Sequence, residues 1–203
     1  MRAIFSSLLL LLCGCELQIG DSPPVAVEGI RGPDSSLCPW KNLPPVEIPQ
    51  AFRDANYGGG SCMWASFCTT LRIEGQNAAA DWVRHNYSGA AGIEDCARVA
   101  DGLGLDYAYT NQGDTDFLEW CSRTRRPAAI HWAGGSHAVT FCGYNALGEA
   151  VLIDNNHTER YERISKAAFL AEWRNSGGRA ITCVYWSPPR RPWYVPTQEG
   201  VFP

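Results

Sequence analysis

Three things are missing from this 203-residue chain, and each absence excludes a class of protein. There is no excess of positive charge: 17 Lys and Arg stand against 21 Asp and Glu, a net charge of −4. That balance excludes the electrostatic footprint of a nucleic-acid-binding protein, so no nucleic-acid partner is expected. There is no long apolar run. Ile4–Leu12 is the nearest approach, and it is roughly half of the ~20 residues a membrane-spanning helix needs. Proline is nearly missing from the middle of the chain. Seven of the 13 prolines fall in 23–49 and five in 188–203, leaving Pro127 alone between Ala51 and Ser187. Proline fixes φ and removes a backbone donor, so proline-rich stretches run extended and stay out of central strands. Residues 16–50 therefore read as an arm or linker, 51–186 as the folded domain, and 187–203 as a tail. At 45% hydrophobic and 19% charged, the chain has enough apolar surface for one core of ordinary size. No internal repeat is visible.

What is present begins with an export signal at 1–15. Met1-Arg2 supplies a positive start, Ile4–Leu12 an apolar segment, and Leu12-Cys13-Gly14-Cys15 a small-residue end. This pattern resembles a bacterial lipobox and implies lipidation at Cys15, which anchors a protein to a membrane without spanning it. Ordinary cleavage and plain secretion remain the alternative. Either way the protein is expected outside the cytoplasm, at the bacterial envelope or cell surface.

Within 51–186 the periodicity is readable. Cys62–Ile73 carries Trp64, Phe67, Cys68 and Leu71 at helical spacing, and Gly75 stops it. Asn77 is placed to cap a second helix that ends before Ser88-Gly89, and Ile93–Leu103 is a third amphipathic helix. A strand follows at Leu105–Thr110, then a short helix at Thr115–Arg123. Strands are expected at Ala128–Trp132, Ala138–Tyr144, Ala150–Ile153 and Arg179–Trp186, with Ser165 capping a helix over Lys166–Trp173. Helices come first and strands cluster late, which is an α+β order. Arg123, Arg125 and Arg126 read as a solvated turn.

The stretch Asn56-Tyr57-Gly58-Gly59-Gly60-Ser61-Cys62-Met63-Trp64-Ala65 delivers a cysteine to the first turn of a helix. Free backbone N–H groups and the positive end of the helix dipole favour the thiolate there. Asn56, six residues upstream, can aim its amide at an oxyanion beside the Cys62 N–H. A second stretch, His137-Ala138-Val139 to Gly143-Tyr144, starts an apolar strand with a histidine. A third, Leu152-Ile153-Asp154-Asn155, ends a buried strand with an acid and an amide, either of which can orient an imidazole base.

Together these stretches resemble the papain-like cysteine peptidases. That superfamily has an oxyanion side chain six residues before the cysteine, a Trp-Ala helix start, a His-Ala-Val strand running to Gly-Tyr, and Leu-Ile-x-Asn. The 75 positions between Cys62 and His137 are fewer than in papain itself. They are more similar to the compact bacterial branch that trims double-glycine leader peptides. The resemblance implies a papain-like α+β fold, with N-terminal helices on a C-terminal antiparallel sheet. It further implies Cys62 as nucleophile, His137 as base, Asn155 or Asp154 as the residue that orients it, and Asn56 as oxyanion donor. Asn stands where the family has Gln, and Asn156-His157 stands where papain-family enzymes place a Trp after the Asn.

The expected function is thus an exported thiol hydrolase acting on peptide or cell-wall peptide amides, a cysteine-type peptidase or amidase. Two other classes stay open: a non-catalytic surface module on the same fold, and a transglutaminase-like acyltransferase. No cofactor and no metal is expected, since His131 and His137 are six apart, which is no zinc spacing. The expected partner is a peptide or protein substrate, with the membrane reached only through the anchor and the chain acting as a monomer. Of nine cysteines, Cys38, Cys68, Cys96, Cys121, Cys142 and Cys183 are left over for up to three disulfides or for the core.

Overall fold

The computed structural model describes residues 48–183. The signal, the lipobox-like Cys15, most of the arm including Cys38, and the tail lie outside the described residues. Helix α1 (Cys62–Ile73) begins where the glycine loop ends. It is buried on every side except at Cys62 and Arg72, as a helix with apolar residues all round must be. Helices α2 (Asn77–Asn86) and α3 (Ile93–Gly102) follow, then strand β1 (Tyr107–Thr110) and helix α4 (Thr115–Thr124). Strands β2 (Ala128–Trp132), β3 (His137–Tyr144), β4 (Glu149–Ile153) and β5 (Glu162–Ser165) lead to helix α5 (Lys166–Asn175) and strand β6 (Ala180–Cys183). Ser165 caps α5 as its position predicts, accepting from the Ala168 N–H. Asn77 is not a cap: Gln76 holds that position and Asn77 is buried in the first turn.

The strands form one six-stranded sheet in the order β1-β6-β2-β3-β4-β5, with every neighbouring pair antiparallel. Side chains alternate across it with a period of two. Ala129, Ala138, Ile181 and Cys183 face a core built with Phe67, Cys68, Leu71, Ala80, Val83 and Ile93 from α1, α2 and α3. Ala128, Ile130, Val139 and Ala180 join the opposite core with Phe117, Leu118, Phe169 and Trp173 from α4 and α5. The result is the expected α+β architecture, but with helices on both faces of the sheet. A third cluster joins Ile48 and Phe52 to Ile73, Cys142, Val151 and Ile153. Packing therefore reaches back to Ile48, inside the segment read as an arm. No helix among the described residues is long and apolar enough to cross a membrane.

One expectation is corrected, and one open alternative is decided among the described residues. Arg126 is not in a solvated turn: it is 0% exposed, with its guanidinium over the Trp120 ring at 5.4 Å. Helix α4 ends with Arg125 in the left-handed region at φ 56°. The next residue is thereby carried back toward the core rather than outward. The second concerns disulfides. Cys62, Cys68, Cys96, Cys121, Cys142 and Cys183 are all free thiols, and all but Cys62 are buried. Burial raises the thiol pKa of Cys68, Cys96, Cys121 and Cys142, so these four are core residues and poor nucleophiles.

Candidate active site

Gly58, Gly59 and Gly60 all have positive φ, at 88°, 63° and 83°. Such backbone is open to glycine at little cost and rarely to other residues. This run turns the chain into α1, with Ser61 at the cap and Cys62 as the first helical residue. Cys62 is half-buried, and its sulfur lies in the first turn, where backbone N–H groups have no partner within the helix.

His137 is the first residue of β3 and Asp154 directly follows the last residue of β4. The pairing of Thr140 with Ile153 brings these two strand ends together. His137 Nε2 lies 2.9 Å from Asp154 Oδ1, and each side chain is 18% exposed. The Asn156 N–H donates to the same oxygen at 2.8 Å and holds the carboxylate in place. With Nε2 engaged, Nδ1 is the ring nitrogen left for the Cys62 thiol.

The electrostatics join Cys62 and His137 into one unit. Burial acts to raise the Cys62 pKa. It is outweighed by the hydrogen bond and charge of His137, with the Ala138 and Met63 N–H groups, so the thiol titrates below its ordinary value. His137 is raised to about 9, first by its hydrogen bond with Cys62, against burial, and then by the hydrogen bond and charge of Asp154. A lowered thiol beside a raised imidazole shifts the pair toward thiolate and imidazolium, the charge distribution that activates a cysteine.

The hydrogen bonds of the Asn155 side chain run to α1 and β3 rather than to the His137 ring. Asn155 is 2% exposed, and its Nδ2, which has two hydrogens to donate, lies within hydrogen-bond distance of three acceptors, Cys62 O, Ser66 Oγ and Ala138 O, at 2.9, 2.9 and 2.7 Å. Neighbouring residues of an extended chain point to opposite sides, and here Asp154 takes the side of the imidazole. Asn56 sits beside the site with its Oδ1 held by the Gly58 N–H at 3.1 Å and the Ser61 hydroxyl at 2.8 Å. That leaves its Nδ2 facing outward, where it donates to Asn156 Oδ1 at 3.0 Å.

Asn156, Ser61 and Ser66 were not singled out by sequence. Asn156 Nδ2 is also 3.4 Å from His137 Nε2, so this residue links Asn56 to His137. Its only signal was its place after Asp154-Asn155, where papain-family enzymes carry a Trp. The His131 and His157 rings do not join the site's hydrogen bonds, although the His157 N–H donates to Asp154 O at 2.9 Å. His131 is half-buried on β2, with its pKa lowered by burial, and His157 is exposed.

No protein-family model and no curated protein matches this sequence. Solved structures do. One is a double-glycine-motif protease from an AMS/PCAT transporter in complex with the leader peptide. It has a TM-score of 0.51 and 15% identity, over 71% of this chain and 96% of that one. Another is the peptidase domain of Streptococcus ComA, a bifunctional ABC transporter involved in a quorum-sensing pathway. Its TM-score is 0.50 and its identity 20%, over 64% of this chain and 96% of that one. The fold is that of the papain-like cysteine peptidases.

Proposed function

We propose that this protein is an exported cysteine peptidase, lipid-anchored through Cys15, that cleaves peptide amide bonds. The observation that supports it most is the coupling of Cys62, at the start of α1, to a His137 ring hydrogen-bonded to Asp154. The Cys62 thiolate attacks the carbonyl carbon of the scissile amide, and the carbonyl electron pair moves onto oxygen. The Cys62 N–H and Asn56 Nδ2 stabilise that oxyanion. His137 then gives its proton to the leaving amine, the C–N bond breaks, and a thioester to Cys62 remains. Neutral His137 takes a proton from water, which attacks the thioester and releases acid and thiolate. Asp154 keeps the ring oriented and favours its charged form.

The substrate class rests on fold and on the neighbouring protease solved with a leader peptide: an extended peptide segment, with cell-wall peptides the second choice. Export rests on the positive start, apolar run and lipobox-like end of residues 1–15.

The test begins with limiting iodoacetamide at pH 6 on the purified protein, followed by mapping of the labelled cysteine. Cys62 is expected to label first, and His137→Ala to slow it strongly. First labelling at another cysteine, or a His137→Ala protein as reactive as wild type, would sink the catalytic reading. Cleavage of a peptide library, lost in Cys62→Ala, separates a peptidase from a binding module. Incorporation of a labelled amine in place of hydrolysis would identify an acyltransferase instead.

A further inference from the structure

Strand β4 leaves its ladder with β3 after Ile153, whose partner is Thr140. Continuing that antiparallel register by two residues brings Asn155 opposite Ala138. The main chain no longer pairs there, and Asn155 Nδ2 supplies the donor that Ala138 O would otherwise lack, at 2.7 Å. The same nitrogen lies 2.9 Å from both Cys62 O and Ser66 Oγ on α1, so its second hydrogen is shared between those two acceptors. The orientation of the amide is settled by this network. A flipped side chain would set its own oxygen against two carbonyl oxygens. One buried amide thus joins the main chain of the nucleophile's residue to the main chain next to the base. Asn155 O also accepts from the Asn56 N–H at 2.8 Å, so the oxyanion loop is tied to the same residue.

We infer that Asn155 is a positioning residue, whose buried amide sets the separation of Cys62 from His137 by holding helix α1 to strand β3. The inference rests on the reading of Cys62 and His137 as a catalytic pair. Two observations make the role geometric rather than merely stabilising. Asn155 Oδ1 is buried without a hydrogen-bond partner, a burial cost that an apolar residue would not carry. And in an extended strand the N–H and C=O of one residue project to the same side. Holding Ala138 O therefore also fixes the direction of the Ala138 N–H, one of the groups that favour the Cys62 thiolate.

The experiment uses the full chain and compares iodoacetamide alkylation of Cys62 at pH 6 and pH 10. At pH 10 nearly any thiol is ionised, so that rate reports access, and the pH 6 to pH 10 ratio reports thiolate held by the site. Asn155→Ala is expected to lower the pH 6 rate by about tenfold, the effect of one pH unit in thiolate ionisation, with the pH 10 rate within about twofold. A lowered Tm with the ratio intact is what a merely structural residue would give, and it would overturn the inference. Should Asn155→Ala not fold, Asn155→Ser keeps a shorter donor. It is expected to move the ratio in the same direction, and an unmoved ratio overturns the inference equally. Ser66→Ala removes one acceptor and leaves both main-chain bonds, so its ratio is expected to match wild type. A fall as large as that of the Asn155 variant would overturn the bridging role. A wild-type ratio no higher than a model thiol's would bring down the catalytic reading and this inference with it. A high wild-type ratio that survives Asn155→Ala brings down this inference alone.

Discussion

Asp154→Asn isolates the electrostatic part of the site, because an amide oxygen can still accept from His137 while the charge is gone. The wild-type contact is 2.9 Å between side chains each 18% exposed, sheltered enough for the charge to count. A hydrogen bond to a charged group is worth about 1.5–3 kcal/mol, and 1.36 kcal/mol is a factor of ten in protonation. The variant should therefore lower the His137 midpoint from about 9 by roughly one to two pH units. The direct assay is NMR titration of the His137 ring proton signals in both proteins. A midpoint unmoved by the substitution would refute the assignment of Asp154 as the charge behind the base. Stability is the wrong readout here, and the signs show why. His137 is raised above its ordinary 6.5, so its contribution is fully present below 6.5 and lost as pH rises through about 9. Cys62 is lowered from its ordinary 9.0, so its contribution is present above 9.0 and lost as pH falls through the folded value. Between 6.5 and about 9 the folded state binds more protons at His137 and fewer at Cys62 than the unfolded chain. The two slopes oppose each other, so the pH dependence of unfolding free energy should be weaker than either group alone would give.

Two further substitutions test the scaffold. Gly60→Ala places a Cβ at φ 83° and 3.3 Å from the backbone nitrogen of Ala90, whereas at Gly59 a Cβ meets nothing within 4 Å. Gly59→Ala should then cost about 1–2 kcal/mol for its left-handed backbone alone. Gly60→Ala should cost more and slow Cys62 alkylation, so equal Tm losses would count against a tight loop at Gly60. Phe67→Ala empties a site that is 0% exposed at the centre of the α1 core. It should lower unfolding free energy by about 3–5 kcal/mol in denaturant titration, and a loss below about 1 kcal/mol would contradict that packing.

The sequence by itself determined the parts that are decided locally. A glycine run cannot extend a helix, and apolar residues at a 3.6 spacing must bury a stripe, so Cys62 at the head of α1 was readable without any neighbour. His137 at the start of β3 was readable because an eight-residue apolar strand leaves few other boundaries. Strand β5 was not readable: Glu162-Arg163-Ile164-Ser165 is a polar edge strand with a single apolar side chain, and only pairing with β4 makes it a strand. Nor could sequence show that β6, last in the described chain, inserts between β1 and β2. The choice between Asp154 and Asn155 also belonged to tertiary structure. Adjacent residues at a strand end point to opposite sides, so a shift of one position exchanges their surroundings. Which of them meets His137 is set by the register Thr140 keeps with Ile153 across the sheet. That register depends on residues far apart in the chain, and it turned the Asp154 carboxylate toward His137 and the Asn155 amide into the seam between helix and strand.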